Sequence, residues 1–239
     1  GEFGPLRVVG GQSDGGSVIG RAACPCCEPP RDDGLTSLDR ALAERAWTGL
    51  HGRVDRLRVV LSRFDPVLRR PMDDRAVSDE ALFAIVAEAS RHNRIVSVLA
   101  HTPSAIGRAI AAGVHAVEEG SFLDRRTADL MAARGVFLVP CLSKTMRRAQ
   151  TSRAGEREAS IPDAARRLAD ASVRALELAK RSGVRIAFGS DSDGRDATEQ
   201  VQEFLSLAEV LTPSDVIEAA TTATRDLLRY TRHASPLAV

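Results

Sequence analysis

The residues with the clearest chemical potential each stand at the end of an apolar run of the chain: His101, Glu119, Cys141 and Asp191. Imidazole and carboxylate groups bind divalent metals and transfer protons, while a thiolate is a nucleophile. In parallel sheets, chemistry is placed at the carboxyl ends of the strands. We therefore predict that these side chains meet at one edge of a sheet.

The segment 94–142, which positions the first three of these residues, has the pattern strand, helix, strand, helix, strand. The predicted strands are Ile95–Ala100, Val114–Val117 and Val136–Val139, and the predicted helices are Ser104–Ala112 and Arg125–Arg134. A glycine follows each helix and leads directly into the next strand, as expected for a helix C-cap. Joints this short imply parallel strands with the helices outside the sheet.

The rest of the chain continues this alternation. Further strands are predicted at Leu6–Val9, Val54–Leu61 and Val184–Asp191, and further helices at Thr36–Gly49, Asp79–Arg91, Ile161–Arg181, Glu199–Val210 and Pro213–Tyr230. Stretches without periodicity are predicted to be loops, the last of them mobile: Gln12–Gly34, Phe64–Val77 and Lys144–Gly155. The pattern gives about six βα units, two fewer than a closed eightfold barrel. We predict one domain over residues 4–230 and a tail at 231–239, with residues 1–3 typical of a cloning remnant.

Composition excludes several classes of partner. The net charge is +1 and only 4% of the 239 residues are aromatic, so neither a basic field nor stacking surfaces favour nucleic acid. No apolar run is long enough to cross a bilayer, and the N-terminus lacks the pattern of a signal peptide, which predicts a cytoplasmic protein. The clustered Cys24, Cys26 and Cys27 are predicted to lie in a reduced loop, because structural zinc normally needs a second ligand pair.

Blocks of the sequence also resemble a known family. AHTPSAIGRAIAAGVHAVEEGSFLD, RGVFLVPCLS, GVRIAFGSDS and LTPSDVIEAATTATRDLL are similar, in order and spacing, to the imidazolonepropionase-like and prolidase-like branch of the amidohydrolase superfamily. The resemblance implies an α/β, TIM-barrel-like (β/α)8 metal-dependent hydrolase fold, here incomplete. It also implies one or two divalent metals that activate a water against an amide, ester or phosphoester bond.

The resemblance assigns the family's ligand positions to this chain. The family carries a His-x-His pair on its first strand, and our opening strand corresponds to its third. The carboxylated lysine of the fourth strand falls on Arg58, which cannot be a ligand because a guanidinium keeps its proton. The histidines of the fifth and sixth strands fall on Leu99, two residues before His101, and on Glu119. The aspartate of the eighth strand is in place as Asp191.

Each of these residues has a functional and a structural interpretation. Asp191 is predicted to be a metal ligand and the catalytic base, or else a cap of the following turn. Glu119 is either a ligand of a hard metal or the partner of Arg58, with Glu118 on the opposite face of the strand. His101 is either a catalytic or metal-binding residue or is hydrogen-bonded to a loop. Cys141 is predicted to be a packing thiol beside the substrate. Arg58 is predicted to supply, through an ion pair with Asp191 and Glu119, the positive charge that a metal would otherwise bring.

Three functional hypotheses follow. The first is an amidohydrolase-type enzyme that hydrolyses C–N or ester bonds of a small molecule, with Asp191, Glu119 and His101 around a divalent ion, most simply zinc. The second is a non-catalytic homologue without metal that works as a binding or assembly protein. The third is a shortened barrel whose open sheet edge favours a homo-oligomer. Ligand counting separates the first two, because a single Asp, Glu and His do not hold two metals.

Overall fold

The computed structural model describes residues 8–10, 16–19, 56–65, 70–73, 77–91, 93–151, 160–191 and 197–229. The strands are β1 Val8–Gly10, β2 Gly16–Ile19, β3 Arg56–Val60, β4 Ser62–Asp65, β5 Arg70–Asp73, β6 Ile95–Ala100, β7 Ala116–Glu119 and β8 Phe137–Val139. The α-helices are α1 Asp79–Arg91, α2 Pro103–Ala112, α3 Arg125–Arg134, α4 Leu142–Thr151, α5 Ser160–Arg181, α6 Ala197–Ala208, α7 Pro213–Glu218 and α8 Thr224–Arg229. Within these ranges, no helix has the length and apolar character needed to span a membrane.

The main sheet has the strand order β1-β2-β3-β6-β7-β8. From β2 to β8 all neighbouring strands are parallel, whereas β1 runs antiparallel to β2. A parallel bridge between Leu138 and Ile186 extends the sheet beyond β8. The carboxyl ends of β3, β6, β7 and β8 therefore lie at one edge, which we call the rim, and the predicted parallel α/β architecture is confirmed.

Local signals set the helix boundaries on the central segment. The hydroxyl of Thr102 accepts a hydrogen bond from the N–H of Ala105 at the start of α2, and Asp124 forms a capping box at the start of α3. Both helices end at a glycine in the left-handed conformation, Gly113 and Gly135, as predicted. These caps keep the joints short and so force consecutive strands to be parallel.

Several predicted loops and one strand are wrong. The stretch 12–34 contains β2, the stretch 64–77 contains most of the hairpin of β4 and β5, and Lys144 lies inside helix α4 rather than in a mobile loop. Strand β2 has only two apolar residues and owes its conformation to pairing with β3, a partner that periodicity does not show. The predicted strand 184–191 is reduced to the single bridge at Ile186. The predicted helix 36–49 and residues 231–239 lie outside the described residues.

The sheet buries both of its faces. On one face, Val59, Val98, Val117 and Leu138 belong to a core that also contains buried residues of helices α1, α2, α3 and α5. On the other face, Ile95, Ala116, Phe137, Val139, Cys141 and Ala187 form a second cluster with Ala223 and Leu227. The end of the chain's last helical stretch thus covers what would be the inner face of a barrel. Helices α2 and α3 pack against the opposite face, as predicted for the two central βα units.

A π-helical turn, Ala219–Ala223, joins α7 to α8 and anchors the segment that leads to Asp191. The hydroxyl of Thr224 donates to the carbonyl of Ala219 at 2.7 Å and accepts from the N–H of Phe188 at 2.9 Å. The carbonyl of Ala219 also accepts from the N–H of Phe188 at 3.2 Å. The turn thereby fixes the approach of the chain to the rim.

We expect Thr224→Val to lower the free energy of unfolding by about 1–2 kcal/mol, because two partly buried hydrogen bonds lose their shared hydroxyl while the side-chain volume is kept. The matched control is Thr221→Val, whose exposed hydroxyl donates only to the Ile217 carbonyl. That control should change stability by less than about 0.5 kcal/mol in urea unfolding. Equal effects of the two substitutions would contradict an anchoring role for the π turn.

Candidate functional site

Arg58 is at the centre of the rim. It lies on β3 opposite Ser97 of β6 in the parallel register, so both side chains project from the same face. Its Nη1 atom lies 3.3 Å from Oδ1 of Asp191, and its Nε atom forms an ion pair with Oε2 of Glu118 that lacks the direction of a hydrogen bond. Burial opposes the charge of the guanidinium, but the carboxylates of Glu118 and Asp191 outweigh it and raise the pKa of Arg58.

Glu118, which the sequence analysis placed on the other face, is the acid that meets Arg58. It is 3% exposed, accepts a hydrogen bond from the hydroxyl of Ser97 at 2.6 Å, and lies 3.4 Å from Nη1 of Arg56. Glu119 also contributes to the raised pKa of Arg58, and its predicted pairing with that residue stays a prediction. Glu119 ends β7 with φ 67°, and this left-handed turn interrupts the alternation of side chains between the faces.

Asp191 is held between two cations. Arg58 approaches its Oδ1 atom, and the ammonium of Lys144 forms an ion pair with its Oδ2 atom. The residue also has φ 49°, so its backbone turns sharply where the segment 184–191 reaches the rim. The predicted pair of Arg58 and Asp191 is present, and Lys144 is an additional member that the sequence analysis assigned to a loop.

His101 and Glu119 form a second polar group beside the first. Nε2 of His101 lies 3.4 Å from Oε2 of Glu119, and its Nδ1 atom lies 3.1 Å from the hydroxyl of Ser121. Ser121 in turn accepts from the hydroxyl of Ser172 on α5 at 2.8 Å. Desolvation lowers the pKa of the buried His101 imidazole to about 4, so the ring is neutral at pH 7.

Cys141 follows β8 and is buried near the carboxylates of both polar groups. Burial raises the pKa of its thiol well above the usual value, and the surrounding carboxylates of Glu118, Glu119, Glu203 and Asp191 add to the effect. A thiol in this environment keeps its proton at neutral pH and is a poor nucleophile. The position agrees with the prediction of a packing thiol.

A cleft opens at the rim between α4 and α6. It has a volume of about 290 Å³, and its lining includes Lys144, Met146, Asp191, Gln202 and Leu205. The start of α4 is fixed by Glu203 of α6, a fully buried residue whose carboxylate accepts from the N–H groups of Leu142 at 2.9 Å and Ser143 at 2.7 Å. Burial raises the pKa of Glu203, while these hydrogen bonds act in the opposite direction. Glu203 therefore positions the helix that carries Lys144.

Comparison with known proteins identifies this fold. The sequence profile of the amidohydrolase family matches residues 61–238, which include β6, β7, β8 and the rim residues other than Arg58. The chain belongs to the amidohydrolase family. The resemblance of the sequence blocks and the TIM-barrel-like but incomplete α/β fold are both confirmed.

The chain is similar to several proteins of this family. Ochratoxinase from Aspergillus niger is 33% identical over 147 residues, which are 60% of this chain and 30% of that protein. Its crystal structure matches with a TM-score of 0.67 at 26% identity and covers 82% of this chain and 44% of that chain. A Xaa-Pro dipeptidase with bound methionine matches with a TM-score of 0.67 at 25% identity over 80% of this chain and 48% of that one. A further amidohydrolase structure matches with a TM-score of 0.68 at 28% identity over 93% and 55%. The chain thus spans about a third of the ochratoxinase sequence and about half of the matched structures.

Amidohydrolases generally use divalent metals, but the described residues of this chain do not fit such an ion. No group of three or more His, Cys, Asp and Glu side chains among them is arranged to hold a metal. Asp191 has a cation at each carboxylate oxygen, and His101 and Glu119 contact each other in a separate group. The proposed ligand roles of Asp191, Glu119 and His101, and their catalytic roles, stay predictions.

The rim therefore contains both residues that were predicted from the sequence and residues that were not. Arg58 and Asp191 meet as predicted. The missed residues are Glu118, Lys144, Glu203, Ser121 and Ser172. Two adjacent acids at the end of an apolar strand signalled that one carboxylate would be buried, although they did not show which. Nothing in the local sequence links Glu203 to α4, because the two are about sixty residues apart.

The depressed pKa of His101 predicts a pH dependence of stability. Between its usual pKa of 6.5 and its folded pKa of about 4, the unfolded chain binds the proton more tightly, so stability falls as pH is lowered through this window. We expect protonation of His101 to lower the free energy of unfolding by about 3 kcal/mol between pH 7 and pH 4. Urea unfolding at several pH values should show a shallower loss for His101→Asn. An identical pH profile for the variant would contradict this assignment.

Proposed function

We propose that the cleft beside Asp191 binds an amide-bearing small molecule and that the protein hydrolyses its C–N bond. The observation that carries this proposal is the ion pair of Lys144 and Asp191 in the wall of a cleft at the carboxyl ends of parallel strands. This is the edge at which barrel enzymes place their chemistry. The pair presents a hydrogen-bond donor and an acceptor side by side, which matches the carbonyl and N–H groups of an amide.

The relatives support the same class of substrate. The name of the Xaa-Pro dipeptidase describes cleavage of a peptide bond, which is an amide, and the family as a whole is named for amide hydrolysis. The name of ochratoxinase describes action on a small molecule, ochratoxin. We extend amide hydrolysis to this chain as a proposal, because the chain spans only part of each relative.

The lining of the cleft suggests how a ligand would be held. Lys144 would donate hydrogen bonds to a carbonyl or carboxylate oxygen, and the side-chain amide of Gln202 would add a donor and an acceptor. Met146 and Leu205 offer apolar surface for the remainder of the molecule. A volume of about 290 Å³ lies at the lower end of small-molecule sites, which favours a ligand of modest size.

A second candidate is a non-catalytic family member that binds such ligands without cleaving them. A specific observation favours it: both oxygens of Asp191 are engaged by cations, and the neutral His101 is buried among Glu119 and Ser121. Neither group is poised to transfer a proton to a ligand in the cleft. Such a protein would serve as a binding or assembly partner.

The experiment is a hydrolysis assay combined with calorimetry on the same preparation. A panel of N-acyl amino acids and dipeptides is incubated with the wild-type chain, with Asp191→Asn, and with the exposed control Asp129→Asn. Release of amine that is lost in Asp191→Asn and kept in the control supports the hydrolase. Saturable binding without release supports the non-catalytic candidate, and absence of both binding and release contradicts the two proposals together.

A further inference from the structure

Two carboxylates of the rim, Glu118 and Asp191, already have cationic partners within the protein. Arg58 contacts both Glu118 and Asp191, and Lys144 supplies a second cation to Asp191. The side chain of Glu118 is 4% exposed and that of Arg58 is 13% exposed, so this pair is shielded from solvent. Each of the two carboxylates therefore has a cationic partner. Arg56 adds a further positive charge next to Glu118.

A divalent cation at Asp191 would have to approach groups that repel it. Any ligand geometry on this carboxylate places the metal next to the guanidinium, whose Nη1 atom is 3.3 Å from Oδ1, or next to the ammonium of Lys144. The guanidinium of Arg58 cannot lose its proton and so cannot become a metal ligand. Repulsion at such distances weakens binding of a doubly charged ion by about 10³-fold or more.

We infer that Arg58 has taken the place of the catalytic metal in this amidohydrolase, so that the rim is metal-independent. The guanidinium neutralises the buried carboxylates, which is the charge-balancing part of a metal's role. The ammonium of Lys144 is the group that meets an incoming ligand, because it lines the cleft and is partly exposed. A carbonyl or carboxylate oxygen is the ligand chemistry that this ammonium selects.

The test is a calorimetric titration of the full chain with ZnCl₂ and with MnCl₂, together with elemental analysis of the purified protein. We expect wild type and Asp191→Asn to bind equal amounts of metal, because Asp191 does not take part in metal binding. Zinc held by Cys24, Cys26 and Cys27 would persist in both proteins, and a variant with serine at these three positions removes that contribution. About one equivalent of metal in wild type that is lost in Asp191→Asn would overturn the inference.

A gain of metal binding provides a second arm. Arg58→Met leaves Glu118 and Asp191 close together without the guanidinium, so we expect this variant to bind Mn²⁺ or Zn²⁺ at least about tenfold more tightly than wild type. Arg125→Met, which removes an exposed arginine from α3, is the matched control and should change nothing. If Arg58→Met does not fold, the comparison of wild type with Asp191→Asn still decides the question. Both arms measure metal alone, so their outcome is independent of whether the chain hydrolyses an amide.

Discussion

Arg58→Ala is expected to lower the free energy of unfolding by about 3–5 kcal/mol. The reason is that the buried carboxyl group of Glu118, whose side chain is 4% exposed, would lose its main ion-pair partner and have only the more distant and partly exposed Arg56 beside it. Asp191 would lose one of its two cations as well. Equilibrium urea unfolding at pH 7 measures the effect.

The control for this prediction is Arg125→Ala. Arg125 also forms an ion pair, with Asp129 one turn further along α3, but both side chains are exposed. An exposed pair of this kind contributes about 0.3–0.5 kcal/mol, because solvent screens the charges. A similar small effect for Arg58→Ala would show that the rim charges are solvated and would remove the basis for a guanidinium-centred site.

Glu203→Ala is expected to cost about 3–5 kcal/mol, since two charge-assisted hydrogen bonds to the backbone are lost together. The N–H groups of Leu142 and Ser143 would be left buried without an acceptor at the start of α4. Because α4 also carries Lys144, the loss should weaken ligand binding in the cleft in addition to destabilising the fold. Urea unfolding and ligand calorimetry measure the two effects separately.

Two further variants delimit the role of Glu203. Glu203→Gln retains one carbonyl oxygen and should cost less than the alanine substitution, because one of the two N–H groups keeps an acceptor. Glu209→Ala removes an exposed glutamate shortly after the same helix and should change stability by less than about 0.5 kcal/mol. Equal stability of Glu203→Ala and Glu209→Ala would mean that α4 does not depend on this cap.

The elements that could be predicted are those whose signals are local. The strand Ile95–Ala100 and the helix Arg125–Arg134 are found with the predicted bounds, because an apolar run, a cap and a terminal glycine mark them in the sequence. Ser78 caps helix α1 through the N–H of Ala81, and Thr212 caps α7. Local rules were sufficient for these elements, because the residues that begin and end each element lie within it or next to it in the sequence.

Elements that depend on distant partners could not be predicted in the same way. Helix α4 begins at a carboxylate from α6, and its basic sequence alone gave no sign of an N-terminus. Glu118 and Glu119 could be assigned to faces only by knowing that Glu119 adopts a left-handed backbone, since strict alternation leaves the choice to register. Lys144 reaches Asp191 across 47 residues of chain, and no sequence spacing encodes that contact.

The charge arrangement also explains why the sequence resembles the family in its fold but differs from it in the residues at the rim. The βα blocks preserve the packing of valine and leucine between sheet and helices, which determines the fold and does not depend on the rim. At the rim itself, Arg58 occupies the position at which the resemblance places a lysine. Its partners are Asp191, the aspartate that the resemblance also places there, and the buried Glu118. The fold is thus kept while the chemistry available at its edge is altered.

A double-mutant cycle between Arg58 and Glu118 measures whether these two side chains form a shielded ion pair at the rim. The free energy of unfolding is measured for wild type, Arg58→Met, Glu118→Leu and the double variant. The account predicts a coupling energy of about 2–3 kcal/mol, with the double variant more stable than either single variant because no charge is left unpaired between them. A coupling energy below about 0.5 kcal/mol would contradict it, since the two side chains would then not form a shielded ion pair at the rim.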